Sequence, residues 1–338
     1  MKASCSRRSF LKGVMAVGAV SLLGRNIHQV PVGEVSRARL IPVMLTPYRQ
    51  DLSIDTGGLE KLIEFYRKSG AGGFFANCLS SEMYQLSGEE QRKITAITVK
   101  HAGRTFPVVA TGSFGDTMAD KVACVKQMGD IGVDAVVLIT SHFAQKGQDA
   151  RVMMDNLLNL ADQTQGVSLG TYECPTPYKR LLSADEYQEL SDTGRFTYHK
   201  DTSGDIEQLR EKIAISQGGA YRVFSAHAQT AVPFIQAGGS GLSPIAGNCF
   251  PEIFAWICKH GQQPEMSDQL TYIQQELIAA EEIVSLKYPL SAKYFLQKRG
   301  VPIEVNSRMQ KRQLTTADTD ALDKLYTKIE TWRANLGI

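Results

Sequence analysis

SLGTYECPTPYKRLLSADEYQELSDTGRFTYHKDTSGD, residues 168–205, is the stretch from which the fold is read. Two short apolar runs, Ser168–Tyr172 and Phe196–Lys200, enclose a helix-like segment, and each run stops abruptly at polar residues. Short apolar runs bounded by turn residues read as buried strands, and strand–helix–strand is the unit of a parallel sheet. Outward from this stretch the same alternation recurs at Leu40–Thr46, Gly73–Asn77, Pro107–Thr111, Ala135–Thr140, Tyr221–Ser225 and Gly241–Ser243. The first run ends at Pro47 and is followed by Gly57–Ser69, where Leu59, Leu62, Ile63 and Tyr66 fall at helical spacing. Eight strands alternating with helices match a (β/α)8 barrel of about 250 residues better than an open doubly wound sheet. The predicted fold class is α/β, a (β/α)8 TIM barrel over residues 37–262. A C-terminal helical region, 263–338, follows, with helical pattern at Leu270–Leu286 and Thr316–Leu336. Such helices pack on their own barrel or serve subunit contacts.

The chain has 338 residues, 43% of them hydrophobic and 21% charged, which suits a globular protein with a large core. Lys and Arg number 37 against 35 Asp and Glu, and the basic residues are dispersed, so nothing marks a nucleic-acid footprint. Six widely spaced Cys and six His form no metal-ligand spacing, and no metal or cofactor is expected. Residues 1–36 read as a targeting segment and connector. Ser6-Arg-Arg-Ser-Phe-Leu-Lys12 precedes the uncharged, mostly apolar run Gly13–Gly24, the layout of a twin-arginine signal. That run is too short to span a bilayer, which takes about 20 residues. The expectation is export through the twin-arginine machinery to the periplasm or cell envelope, where disulfides are permitted.

In such a barrel the active site sits at the C-terminal ends of the strands. Four endings stand out: Asn77–Glu82, Ser141–Phe143, Tyr172–Pro175 and Lys200–Asp205. A lysine closing an apolar strand places its amine in the barrel mouth, where desolvation lowers the pKa and frees the nucleophilic lone pair. An amine of that kind forms an iminium with a carbonyl and so activates the carbon alpha to it. Lys200 is therefore the candidate nucleophile, although strand-end lysines are often solvated rim residues. Tyr172, one strand away, is placed to donate and accept protons; the alternative is a packed tyrosine. Ser80 is placed to relay that proton and, with the turn amides, to hold a carboxylate, unless Ser80-Ser-Glu82 is simply a helix cap. Glu82 is read as bracing its turn. The glycine-rich segment Gly238–Pro244, which contains Leu242, reads as backbone packed closely around a small ligand.

These endings resemble the dihydrodipicolinate synthase and N-acetylneuraminate lyase family of Schiff-base class I aldolases, from about Leu40 to the C-terminus. Thr46-Pro-Tyr48 resembles the family's opening Thr-Pro-Phe, and Cys78-Leu-Ser-Ser-Glu82 its Gly-Thr-Thr-Gly-Glu segment. Leu86-Ser-Gly-Glu-Glu90, Tyr172-x-x-Pro175, Lys200-Asp-Thr-Ser-Gly-Asp205 and Gly238-Gly-x-Gly241 with Asn248 follow in family order. The resemblance implies Lys200 as the Schiff-base lysine, Tyr172 as the proton-transferring tyrosine and Ser80 as the relay hydroxyl. It also implies the Leu79 and Ser80 amides as the carboxylate cradle, Glu173 and Leu242 among the substrate-binding positions, and a homo-oligomer, tetramer or dimer.

The departures from the family pattern bear on specificity. Phe143 stands where the synthases have a second tyrosine, lent to the neighbouring subunit's relay. Pro177 stands where they have the arginine that binds the second substrate's carboxylate. Glu173 replaces an asparagine, Leu79 a hydroxyl residue and Ser81 a glycine. Lys179 and Arg180 are candidates for receiving an acidic substrate, or solvated loop residues. The expected function is a class I aldolase or lyase acting on a 2-keto acid and an aldehyde, with a sialic-like sugar acid as substrate. The alternatives are 4-hydroxy-tetrahydrodipicolinate synthase activity and a non-catalytic, keto-acid-binding barrel.

Overall fold

The computed structural model describes residues 38–338; the twin-arginine segment and its connector lie outside the described residues. The strands are β1 (Arg39–Leu40), β2 (Phe74–Phe75), β3 (Val108–Thr111), β4 (Ala135–Ile139), β5 (Leu169–Tyr172), β6 (Phe196–Asp201), β7 (Arg222–Ser225) and β8 (Gly241–Leu242). Between and after them come helices α1 (Thr56–Lys68), α2 (Gly88–Ala102), α3 (Met118–Asp130), α4 (Ala150–Gln163), α5 (Ala184–Asp192), α6 (Ile206–Gln217), α7 (Ala231–Gln236) and α8 (Pro251–His260). Three more follow the barrel: α9 (Ser267–Ser285), α10 (Leu290–Lys298) and α11 (Thr316–Leu336).

All strand pairs are parallel, in the order β1-β8-β7-β6-β5-β4-β3-β2. A parallel bridge between Val43 and Phe75 closes the ring. The apolar run Leu40–Thr46 gives only two ladder residues because Pro42 carries no N–H to donate. Its continuation still pairs with β2, the Met44 amide donating to the Phe75 carbonyl at 3.0 Å. β1 and β8 approach so closely that a Cβ on Gly241 would lie 2.1 Å from the Arg39 carbonyl oxygen, which only glycine tolerates.

Helix starts are written in the sequence as capping boxes, Thr117 with Asp120, Ser87 with Glu90, Ser183 with Glu186 and Thr315 with Asp318. Each cap contributes about 1 kcal/mol. Side chains alternate across the strands into two apolar layers. The inner one fills the barrel with Val43, Phe75, Val109, Val137, Ile139 and Phe224; the outer one joins the strands to the helices. Helix α9 packs on the 3-10 turns that follow β7 (Ala228–Thr230) and β8 (Ile245–Asn248), so it covers part of the end of the barrel where the strands terminate. Barrel and C-terminal helices belong to one compact unit.

Candidate active site

Lys200 is the fifth residue of β6, and alternation turns its side chain into the barrel while its neighbours His199 and Asp201 point outward. It is only 4% exposed. Its Nζ lies 4.9 Å from the centre of the Tyr172 ring and 5.9 Å from that of Phe75. Burial pulls the amine below the ordinary lysine range, against the opposing pull of Cys78, Cys174 and Glu281. A lowered pKa raises the share of neutral, nucleophilic amine at neutral pH.

Tyr172 ends β5 in direct register with Lys200, and its ring meets Phe75 edge-on at 5.6 Å. Burial holds the phenol well above its usual range, so it stays protonated. A neutral phenol beside a carbonyl-attacking amine can lend and recover a proton. Tyr198 completes the aromatic wall, 4.8 Å from Phe224 and with its hydroxyl 3.2 Å from Ser243 Oγ.

The turn after β2 forms the opposite side. Ser81 Oγ donates to the Met44 or the Ala76 carbonyl, at 2.7 and 2.9 Å, and accepts from the Cys78 amide at 3.1 Å. Thr46 Oγ1 donates to the Ser81 carbonyl at 2.7 Å. A serine in place of the family's glycine thus ties the turn to β1. Among the described residues the Leu79 and Ser80 amides have no acceptor, leaving two N–H groups available to a carboxylate. Tyr288, in the connection from α9 to α10, sets its hydroxyl beside Ser80 and accepts from Asn248 Nδ2 at 2.8 Å. Glu82 braces more than its own turn. Its carboxylate pairs with Lys293 Nζ at 3.0 Å and accepts from Ser307 Oγ and the Arg308 and Met309 amides at 2.7–2.9 Å, anchoring the C-terminal region to the catalytic turn.

Two sequence expectations do not survive at the side-chain level. Glu173 points outward and its carboxylate is fully used, by the Leu182 amide at 2.9 Å, the Thr202 amide at 2.7 Å and Lys212 Nζ at 2.9 Å. It therefore supports the strand tips instead of binding substrate. Leu242 packs in the outer layer, and its carbonyl accepts from the Ile41 amide at 2.8 Å. Phe143, which lacks the hydroxyl of the synthases' second tyrosine, is buried in the same outer layer of its own chain. Of the loop candidates, Arg180 donates to the Gln148 carbonyl and Lys179 is exposed.

Glu173 shares its position with His199 and Asp201, whose ligand atoms all lie within 4.8 Å of one another. The Lys212 ammonium, 2.5 Å from Asp201 and 2.9 Å from Glu173, occupies the place a cation would take. Burial opposes ionisation of Asp201, yet His199, 3.7 Å away, and the Lys212 ammonium, 2.5 Å away, hold its carboxyl well below the carboxylate range. This cluster knits the ends of β5 and β6 together directly behind Tyr172 and Lys200.

The dihydrodipicolinate synthetase family model matches residues 36–331. The chain belongs to that family. Its members include the 4-hydroxy-tetrahydrodipicolinate synthase of Methanothrix thermoacetophila, 23% identical over 80% of this chain and 86% of that protein. The synthase of Thermodesulfovibrio yellowstonii is 27% identical over 77% of this chain and 84% of its own length. Among solved structures, YagE of E. coli K12, crystallised with pyruvate, superposes with a TM-score of 0.76 at 20% identity, covering 87% of this chain and 98% of that one. The synthase of Methylacidiphilum fumariolicum gives a TM-score of 0.77 at 17% identity, covering 89% and 98%. These likenesses establish the (β/α)8 barrel. With the family they make this family member an enzyme of the lyase, class I aldolase type.

Proposed function

We propose that this family member is a class I aldolase in which Lys200 forms a Schiff base with a 2-keto acid of the pyruvate type. The observation that carries the reading is the buried Lys200 amine, in register with Tyr172 and facing the aromatic wall of a closed barrel. The neutral amine adds to the keto carbon, the Leu79 and Ser80 amides hold the carboxylate, and Tyr172 moves protons between carbinolamine and substrate. The iminium acidifies the adjacent C–H bond; loss of that proton gives an enamine whose carbon attacks an aldehyde, and in the cleavage direction the same enamine is left when the carbon–carbon bond breaks and takes up a proton.

For the second substrate, the names of the relatives support 4-hydroxy-tetrahydrodipicolinate synthesis. The absence of an arginine at Pro177 and of a presented tyrosine at Phe143 supports a different aldehyde, such as one released from a sugar acid. An assay of pyruvate release from 2-keto-3-deoxy sugar acids, run beside pyruvate condensation with a carboxylate-bearing aldehyde, separates the two. Turnover of either kind that survives Lys200→Ala contradicts the Schiff-base reading. We further infer export from the Ser6–Lys12 motif; that reading fails if a tagged full-length chain stays in the cytoplasm of a host with an intact twin-arginine system.

A further inference from the structure

The segments that follow β2, β3, β4 and β5 are joined by one chain of polar contacts. His142 closes the 3-10 turn Thr140–His142 after β4, and Tyr84 lies in the 3-10 turn Met83–Gln85, downstream of β2. The His142 Nδ1 is 2.8 Å from the Ser113 carbonyl oxygen, after β3, and 3.1 Å from Ser113 Oγ. Its Nε2 is 3.0 Å from the Tyr84 hydroxyl, and that hydroxyl is 2.7 Å from the carbonyl oxygen of Thr176, in the loop after β5.

With a neutral imidazole this chain has one hydrogen too few. A carbonyl oxygen only accepts, so the short contact with Ser113 puts the ring hydrogen on Nδ1. The other neutral tautomer would press a bare Nδ1 lone pair against that oxygen at 2.8 Å. With the hydrogen on Nδ1, Nε2 is an acceptor, and so is the Thr176 carbonyl, while the phenol between them has a single hydrogen to give. Whichever it serves, the other contact is left as two lone pairs facing each other. A second ring proton removes the conflict, because Nε2–H then donates to the Tyr84 oxygen and the phenol donates to Thr176. We propose that His142 is a proton-operated latch: its imidazolium ties the loop after β5, through Tyr84, to the segments after β2, β3 and β4, and its neutral form loosens that tie. The latch is independent of the Schiff-base reading.

A ring away from the surface titrates only where a proton can reach it. A cavity of about 330 Å³, lined by Tyr84, Phe114, Gly115, Asp116, Lys121 and His142, opens beside the imidazole. Phe114 meets both rings edge-on, 5.6 Å from His142 and 5.9 Å from Tyr84. Burial pulls the imidazole below the ordinary histidine range, the Ser113 carbonyl pulls the other way, and the Lys121 ammonium adds to the lowering. Lys121 comes from α3 and donates to the Gly115 carbonyl; Asp116 faces the same cavity from the loop after β3. From the loop after β5, Cys174 faces the Tyr84 hydroxyl, and burial raises both groups above their usual ranges, so each keeps its hydrogen. The latch is therefore open at neutral pH and closes as the solution is acidified. What it holds is the segment that begins directly after Tyr172 and carries Pro177 and Lys179.

The test compares the full chain with Tyr84→Phe, which removes the shared hydroxyl and keeps the ring, and needs no keto acid. Hydrogen exchange of the Thr176–Lys179 segment is followed by mass spectrometry across the histidine range, and the wild type is divided by the variant at each pH, which cancels the intrinsic pH dependence of exchange. The His142 titration is read from its imidazole resonances in both proteins. Protection of the wild type over the variant should rise about tenfold as pH falls through the His142 midpoint, the effect of one added hydrogen bond. The midpoint should move to lower pH in Tyr84→Phe, because the imidazolium loses its acceptor. His142→Gln, whose side-chain amide donates at every pH, should keep the segment protected throughout, and circular dichroism checks that both variants fold. A protection ratio that stays flat through the titration overturns the latch, as does a midpoint that Tyr84→Phe leaves unmoved. The wild type also decides without any variant: its nitrogen shifts should show the hydrogen on Nδ1 at neutral pH, and a neutral ring with the hydrogen on Nε2 overturns the proposal.

Discussion

At the scale of single residues, the strand-end rule leads to the candidate site. Lys200 and Tyr172 were legible because each closes an apolar run with a functional group, and the barrel places such groups at one mouth. Replacing Tyr172 with Phe should leave pyruvate binding nearly intact and lower kcat by about 10²–10⁴-fold, since the ring stays packed and only the proton is lost; separate measurement of kcat and pyruvate affinity checks this. Glu173 and Leu242 were misplaced for a common reason. Likeness in sequence gives a position along the strand, whereas the pleat decides which side chain faces the barrel interior. Tyr288 and Glu281 carried no local signal at all, because their importance arises from a helix folding back over the mouth.

At the scale of elements, the apolar runs fall on all eight strands, with β1 shortened by Pro42, and the helical stretches Gly57–Ser69, Leu270–Leu286 and Thr316–Leu336 fall on α1, α9 and α11, while α10 was not read. The buried cluster behind β5 and β6 was not legible, since Glu173, His199, Asp201 and Lys212 come from two strands and a helix. Lys212→Met should remove the ammonium from two buried carboxylates and destabilise the fold by about 3–5 kcal/mol, read from urea midpoints. The pH dependence follows from Asp201. Its folded pKa lies below its unfolded value of about 4, so its ionised form stabilises the protein above that pH, and the contribution is lost as pH falls toward the folded value. Without Lys212 the folded pKa rises, and acid unfolding should begin at higher pH. Glu281 acts with the opposite sign. Raised from 4.5 to about 7, its ionisation costs the fold stability as pH climbs through that window. Glu281→Gln should therefore gain on the wild type between pH 5 and 8, by about 3 kcal/mol at most, in melts recorded at both pH values.

At the scale of the whole molecule, the C-terminal helices pack on the end of the barrel that carries the candidate site. Glu82 locks residues 307–309 to the turn that carries Ser80, and α9 brings Glu281 to the turn after β7. The groups named here as the candidate site all belong to one chain, and Phe143 is buried in that chain's core. Specific activity should then stay constant on dilution through any dissociation of an oligomer, as followed by light scattering and assay in parallel; a loss of activity on dissociation would show that a neighbour completes the site. The central claim, the Schiff base on Lys200, is tested most directly by borohydride reduction of the protein with pyruvate, followed by peptide mass mapping. The account predicts a reduced pyruvyl adduct on the peptide containing Lys200 and on no other. An adduct on a different lysine, or binding of pyruvate without any adduct, would contradict it.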